Sequence, residues 1–101
     1  MHGKIALVTG AGSGIGQATA ILFAREGANV VVSDVNEQGG KKTVECIKSA
    51  GGEATFIRAD VSSSADVEML IKTTIHIYGR LDYACNNAGI GGAQNLTADY
   101  S

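Results

Sequence analysis

Four short apolar runs alternate with three helix-length segments along this chain, and that alternation narrows its possible folds more than any other feature. Residues 4–9, Lys-Ile-Ala-Leu-Val-Thr, form a continuous apolar run that stops at Gly10, as expected of a strand buried on both faces. From Ile15 to Glu26 the apolar positions Ile15, Ala18 and Leu22 and the small positions Gly16, Ala20 and Ala24 recur at helical spacing, and Gly27 supplies a stop. A β-branched run at 29–33 closes on Asp34. A second helical pattern, 37–50, places Gly40, Val44, Ile47 and Ala50 on one face, with Lys41, Lys42, Glu45 and Lys48 largely off it, before Gly51-Gly52. Residues 54–59 read as a third strand. Ser63-x-x-Asp66 then opens a third helix with Val67, Leu70, Ile71, Ile75 and Tyr78 on its buried stripe, ending at Gly79. Leu81 to Cys85 is a fourth strand running into Asn86-Asn87-Ala88-Gly89, and the residues beyond show no period and are expected to lack regular structure. Strands alternating with helices imply parallel pairing through right-handed crossovers. The expected fold class is therefore α/β, a doubly wound parallel sheet in the strand order 3-2-1-4. A ligand crevice should open between the C-terminal ends of the first and fourth strands.

Composition excludes several functions. At 45% apolar and 18% charged residues the chain buries a core. A net charge of -2, with basic residues scattered apart from Lys41-Lys42, leaves no footprint for a phosphate backbone, so nucleic acid is not an expected partner. The run Ile5-Ala6-Leu7-Val8 breaks at Thr9-Gly10, too short for a signal peptide or a membrane span, so no membrane partner and a cytoplasmic location are expected. Cys46 and Cys85 stand without a CxxC or a partner at ligand spacing, and are expected to be reduced, buried small hydrophobes with no metal site.

The 14 glycines, in a chain without proline, punctuate rather than cluster. Gly10-Ala11-Gly12-Ser13-Gly14-Ile15-Gly16 lies between the first strand and the first helix, where backbone N–H groups and the positive end of a helix dipole favour a phosphate. No Lys follows these glycines, so the triphosphate P-loop and its kinase or NTPase chemistry drop out. The GxGxxG spacing is also unmatched, since its third glycine would fall at Ile15; what stands here is Gly-x-x-x-Gly-x-Gly. The competing reading is a tight turn with close helix packing and no ligand.

Asp34 weighs against that reading. It ends the second strand 18 residues beyond Gly16, close to the spacing at which an acid accepts hydrogen bonds from an adenosine ribose. A carboxylate there repels a 2′-phosphate, and no Arg or Lys stands in the loop or at positions 35 and 36, so the expected cofactor is NAD rather than NADP. The alternative for Asp34 is a helix cap or turn residue.

Taken with Asp60-Val61 after the third strand and Asn86-Asn87-Ala88-Gly89 after the fourth, Thr9-Gly10-Ala11-Gly12-Ser13-Gly14-Ile15-Gly16 resembles the short-chain dehydrogenase/reductase family. The resemblance runs from about Lys4 to Gly89 and implies the N-terminal portion of a Rossmann-type NAD-binding domain spanning residues 1–101, with the catalytic portion absent. It implies that Gly10, Ser13, Gly14, Ile15 and Gly16 bind the pyrophosphate and that Asp34 contacts the ribose. It further implies that Asp60 and Val61 border the adenine, and that Asn87, Ala88 and Gly89 line the ribose near the nicotinamide. For Asp60 the alternative is a capping role, and for Asn86 and Asn87 satisfaction of buried backbone groups.

Members of that family use a Tyr-x-x-x-Lys pair, in which a cation lowers the tyrosine pKa for proton transfer while hydride passes to or from nicotinamide. Tyr78 is followed four residues on by Asp82, Tyr83 by Asn87, and Tyr100 only by Ser101, so the expected catalytic residues of this chain are none. His76 has no carboxylate or thiol at catalytic spacing and reads as a surface or packing residue. The resemblance implies an oxidoreductase acting with NAD on a small alcohol or carbonyl substrate, homo-oligomeric when full length. The alternatives are a non-catalytic dinucleotide-binding or redox-sensing module, and a methyltransferase, against which Asn86-Asn87-Ala88-Gly89 argues.

Overall fold

A computed structural model describes residues 2–12 and 14–87, together with the backbone of 95–100. The elements run β1 (Ile5–Thr9), α1 (Gly14–Arg25), β2 (Asn29–Asp34), α2 (Glu37–Ser49), β3 (Glu53–Arg58), α3 (Ser64–Tyr78), β4 (Leu81–Asn86) and β5 (Asn95–Tyr100). The sheet order is β3-β2-β1-β4-β5. The first four strands are parallel in the expected order, with Val8 of β1 in register with Val32 on one side and Cys85 on the other.

The continuous apolar run of β1 is explained by its position. All five of its residues are buried, because β1 is central and covered on both faces. Ala6 and Val8 join Val30, Val32 and Ala54 against Ala20 of α1 and Ile47 of α2. Ile5 and Leu7 join Val31 and Leu81 against Leu70, Ile71 and Tyr78 of α3. The first two connections therefore lie on one face and the third on the other, as the strand order requires.

The packing decides one stripe that the sequence left open and corrects two expectations. In α1 the small stripe is buried and the large one is not: Gly16 and Ala20 are buried, whereas Ile15 and Leu22 are 54% and 57% exposed. The cause is close approach, since a Cβ on Gly16 would run into the Gly10 carbonyl oxygen and only small residues let the helix lie that near the loop. In α2 and α3, Thr43 and Thr74 take the buried places expected for Ala50 and Ile75, which are exposed. The Thr74 hydroxyl donates to Leu70 O four residues back at 2.8 Å, and the Thr43 hydroxyl lies 2.7 Å from Ala11 O and 3.1 Å from Gly39 O, so neither burial leaves a donor stranded. Cys46, expected to be buried, is exposed, while Cys85 is buried, and the two form no disulfide with each other.

The third correction is β5. Residues 95–100 form a strand antiparallel to β4, pairing Leu81 with Tyr100 and Asn86 with Asn95. The outer edge of β4 presents unpaired N–H and C=O groups, and a segment that pairs with them removes that cost. The alternation Leu96-Thr97-Ala98-Asp99-Tyr100 is the signal that was there to read.

Candidate functional site

Backbone hydrogen bonds beyond the strand ends gather four loops at the C-terminal edge of the sheet. Ala11 N–H donates to Ser33 O at 3.0 Å, Ala59 N–H to Asp34 O at 3.4 Å, and Asn87 N–H to Thr9 O at 3.2 Å. Between these loops lies a cleft of about 440 Å³, within the usual range for small-molecule sites. Gly10, Ile15 and Gly16 line it from the glycine loop, Asp34 and Val35 from the end of β2, Ala59, Asp60, Val61 and Ser62 from the end of β3, and Asn87 from the end of β4. Seven residues singled out in the sequence thus meet in one place: Gly10, Ile15, Gly16, Asp34, Asp60, Val61 and Asn87. Gly14 opens α1 with a φ of +58°, which favours glycine, and does not line the cleft. Ser13, Ala88 and Gly89 lie outside the described residues.

Asp34 is held by two backbone amides. Its Oδ2 accepts from Gly12 N–H at 2.8 Å and its Oδ1 from Asn36 N–H at 2.9 Å. The cap of α2 is Asn36, whose side chain accepts from Gly39 N–H at 3.1 Å, so Asp34 is not itself the cap. Gly12 was missed as a site residue because its reason lies across the fold: a Cβ there would lie 2.8 Å from Asp34 Oδ2. The lysines nearest in sequence, Lys41 and Lys42, are exposed on α2, with Lys41 3.7 Å from Glu37.

Asp60 is shaped differently. Its Oδ1 accepts from both the hydroxyl, at 2.6 Å, and the N–H, at 2.9 Å, of Ser62. The Ser62 hydroxyl and amide, aided by the charge of Arg58, hold its carboxyl below the ordinary carboxylate value. The Asp60 N–H donates in turn to Asp66 Oδ2 at 2.9 Å, while Ser63 Oγ accepts from Asp66 N–H at 3.3 Å. The capping box read in the sequence is therefore half formed, with Asp66 turned to brace the Asp60 loop rather than its own cap.

At the loop after β4, Asn87 Nδ2 donates to Cys85 Sγ at 3.4 Å, and Asn87 Oδ1 is buried without a partner among the described residues. A buried acceptor left open beside a cleft fits a site that receives a donor from a ligand. Among the described residues no group of His, Cys, Asp and Glu could hold a metal ion, and no helix is long and apolar enough to cross a membrane. His76 is exposed on the last turn of α3.

Comparison with known proteins agrees with this arrangement. The family model described as short chain dehydrogenase matches residues 4–100. An "uncharacterized oxidoreductase" of Thermotoga maritima is 54% identical over 89 residues, covering 88% of this chain and 35% of that protein. A cyclohexanol dehydrogenase of an Acinetobacter species is 42% identical over 100 residues, covering 99% of this chain and 40% of that protein. The crystal structure of a hydroxysteroid dehydrogenase from Escherichia coli superposes with a TM-score of 0.86 at 44% identity, covering 90% of this chain and 39% of that one. The chain thus spans between about a third and two fifths of the length of these relatives. With the glycine loop, the sheet order and the family match all in agreement, the chain belongs to the short-chain dehydrogenase/reductase family.

Proposed function

We propose that this chain is the NAD-binding part of an oxidoreductase that transfers a hydride between NAD(H) and an alcohol or carbonyl substrate, with residues 1–101 forming the N-terminal portion of the binding domain. The observation that carries the reading is Asp34, fixed by the amides of Gly12 and Asn36 and opening into the same cleft as Gly10, Asp60 and Asn87. In this reading Asp34 accepts from the adenosine ribose, Asp60 and Val61 border the adenine, and Gly10, Ser13, Gly14, Ile15 and Gly16 receive the pyrophosphate. Asn87, Ala88 and Gly89 face the second ribose, where the open Asn87 Oδ1 finds its donor. Bound there, NAD supplies the site that accepts or gives a hydride.

Two relatives named for alcohol substrates, cyclohexanol and a hydroxysteroid, support an alcohol or carbonyl as the substrate class. No tyrosine of this chain is followed by lysine four residues on, so its own residues bind and orient the cofactor and supply no proton donor of that type.

The choice of NAD over NADP rests on charge. A 2′-phosphate beside Asp34 would face a carboxylate, with no cation at 35 or 36 to receive it. Calorimetric titration with both cofactors is expected to favour NAD by at least about tenfold, and Asp34→Ala to narrow the gap. Equal affinities in the unaltered protein would sink the assignment.

A further inference from the structure

The glycine loop rests on α2 as well as on its own strand and helix, and one side chain makes the joint. Thr43 is fully buried in α2. Its hydroxyl lies 2.7 Å from the carbonyl oxygen of Ala11 in the loop and 3.1 Å from Gly39 O in its own helix, and accepts from Gln17 Nε2 of α1 at 3.1 Å. A hydroxyl has one proton, and the shorter distance assigns it to Ala11 O. Thr43 thus joins loop, α1 and α2 at a single oxygen. The same seam is too tight for side chains on its other wall, since a Cβ on Gly39 would lie 2.6 Å from Gly12 O.

We infer that Thr43 is a positioning residue for the phosphate loop: it lies away from the cleft lining, and it fixes the Ala11 carbonyl and so the Ala11–Gly12 peptide plane on which the loop turns. Ala11 is fully buried, its N–H is committed to Ser33 O, and its carbonyl meets the Thr43 hydroxyl in a place closed to water. Removing that hydroxyl strands the buried Ala11 carbonyl and takes a partner from the half-buried Gln17 amide, and a rotation of the Ala11–Gly12 peptide plane toward a new partner carries with it the Gly12 N–H that donates to Asp34 Oδ2. Preorganised donors bind a phosphate well because they need not be ordered on binding. The inference rests on the dinucleotide reading above and deepens it.

The test compares Thr43→Val, which keeps the shape and removes the hydroxyl, with Thr43→Ser, which keeps the hydroxyl, in the complete protein carrying this sequence. NAD, ADP and adenosine are titrated by calorimetry, and melting temperature is followed beside them. Thr43→Val is expected to weaken NAD and ADP by about tenfold and adenosine by less than about twofold, with Thr43→Ser restoring most of the loss. Should Thr43→Val not fold, Gln17→Leu, which removes the other partner of the hydroxyl, is expected to weaken ADP more than adenosine. Wild-type affinity for ADP in a folded Thr43→Val, equal losses for ADP and adenosine, or no rescue by serine would overturn the role of Thr43 alone. An unaltered protein that binds neither NAD nor ADP would overturn the dinucleotide reading and this inference with it.

Discussion

Gly12 and Asp34 illustrate how a single contact can decide two positions. The carboxylate comes within 2.8 Å of the Gly12 amide, and the same approach forbids a Cβ on that glycine. Gly12→Ala is therefore expected to push Asp34 off its amide and cost about 1 to 3 kcal/mol of stability, with weaker NAD binding, read by denaturant unfolding and calorimetry. Asp34 was legible in the sequence because it ends a strand at the right distance from the loop; Gly12 was not, because its reason lies across a space that sequence spacing does not measure. At the opposite end of the sheet, Asp82 accepts from Ile5 N–H at 2.8 Å and pairs with Arg80. Desolvation raises its carboxyl pKa, but the Ile5 amide and the charges of Arg80 and Lys4 outweigh it, and the net shift is below the ordinary value of 3.8. A pKa depressed by folding adds stability above the unfolded value and loses it as pH falls through the folded one. Asp82→Asn is thus expected to cost about 1 kcal/mol near neutral pH, and the difference to vanish as the pH drops below the usual carboxylate range. A cost that stays constant down to pH 2 would place the effect elsewhere.

At the scale of elements, period and burial were legible where one face of an element is covered by large residues, and misleading where it is covered by small ones. The strands were readable because β1 and β2 bury both faces and need unbroken apolar runs. The stripe of α1 was not, because Gly16 and Ala20 are buried by closeness and not by size, leaving Ile15 and Leu22 exposed. Thr43 and Thr74 escaped notice for a related reason: a threonine whose hydroxyl finds a carbonyl can be buried, and sequence alone does not show which threonines do so. For β5 the relevant period was two, over only six residues after a glycine-rich stretch. Because β4 has β1 on one side and β5 on the other, its amides are expected to exchange slowly on both edges. Exchange of the 101-residue chain followed by NMR checks this, and unprotected rates for the amides that face β5 would count against that pairing.

Across the whole molecule, four loops that are far apart in sequence converge because every parallel strand of the sheet ends at the same edge. The convergence of Gly10, Asp34, Asp60 and Asn87 could be anticipated from topology, whereas the orphaned Asn87 Oδ1 and the bracing of Asp60 by Asp66 depend on side-chain directions that only the folded chain reveals. Mapping NAD onto the backbone amides of the 101-residue chain by NMR titration tests the assigned cleft most directly. Shifts are expected at Gly10, Gly12, Gly14, Gly16, Asp34, Asp60 and Asn87, with no NADH oxidation in the presence of a carbonyl substrate. Saturating NAD that leaves those amides unmoved, or moves instead those of the small hollow at Ile21, Ile47 and Gly52, would contradict the assignment.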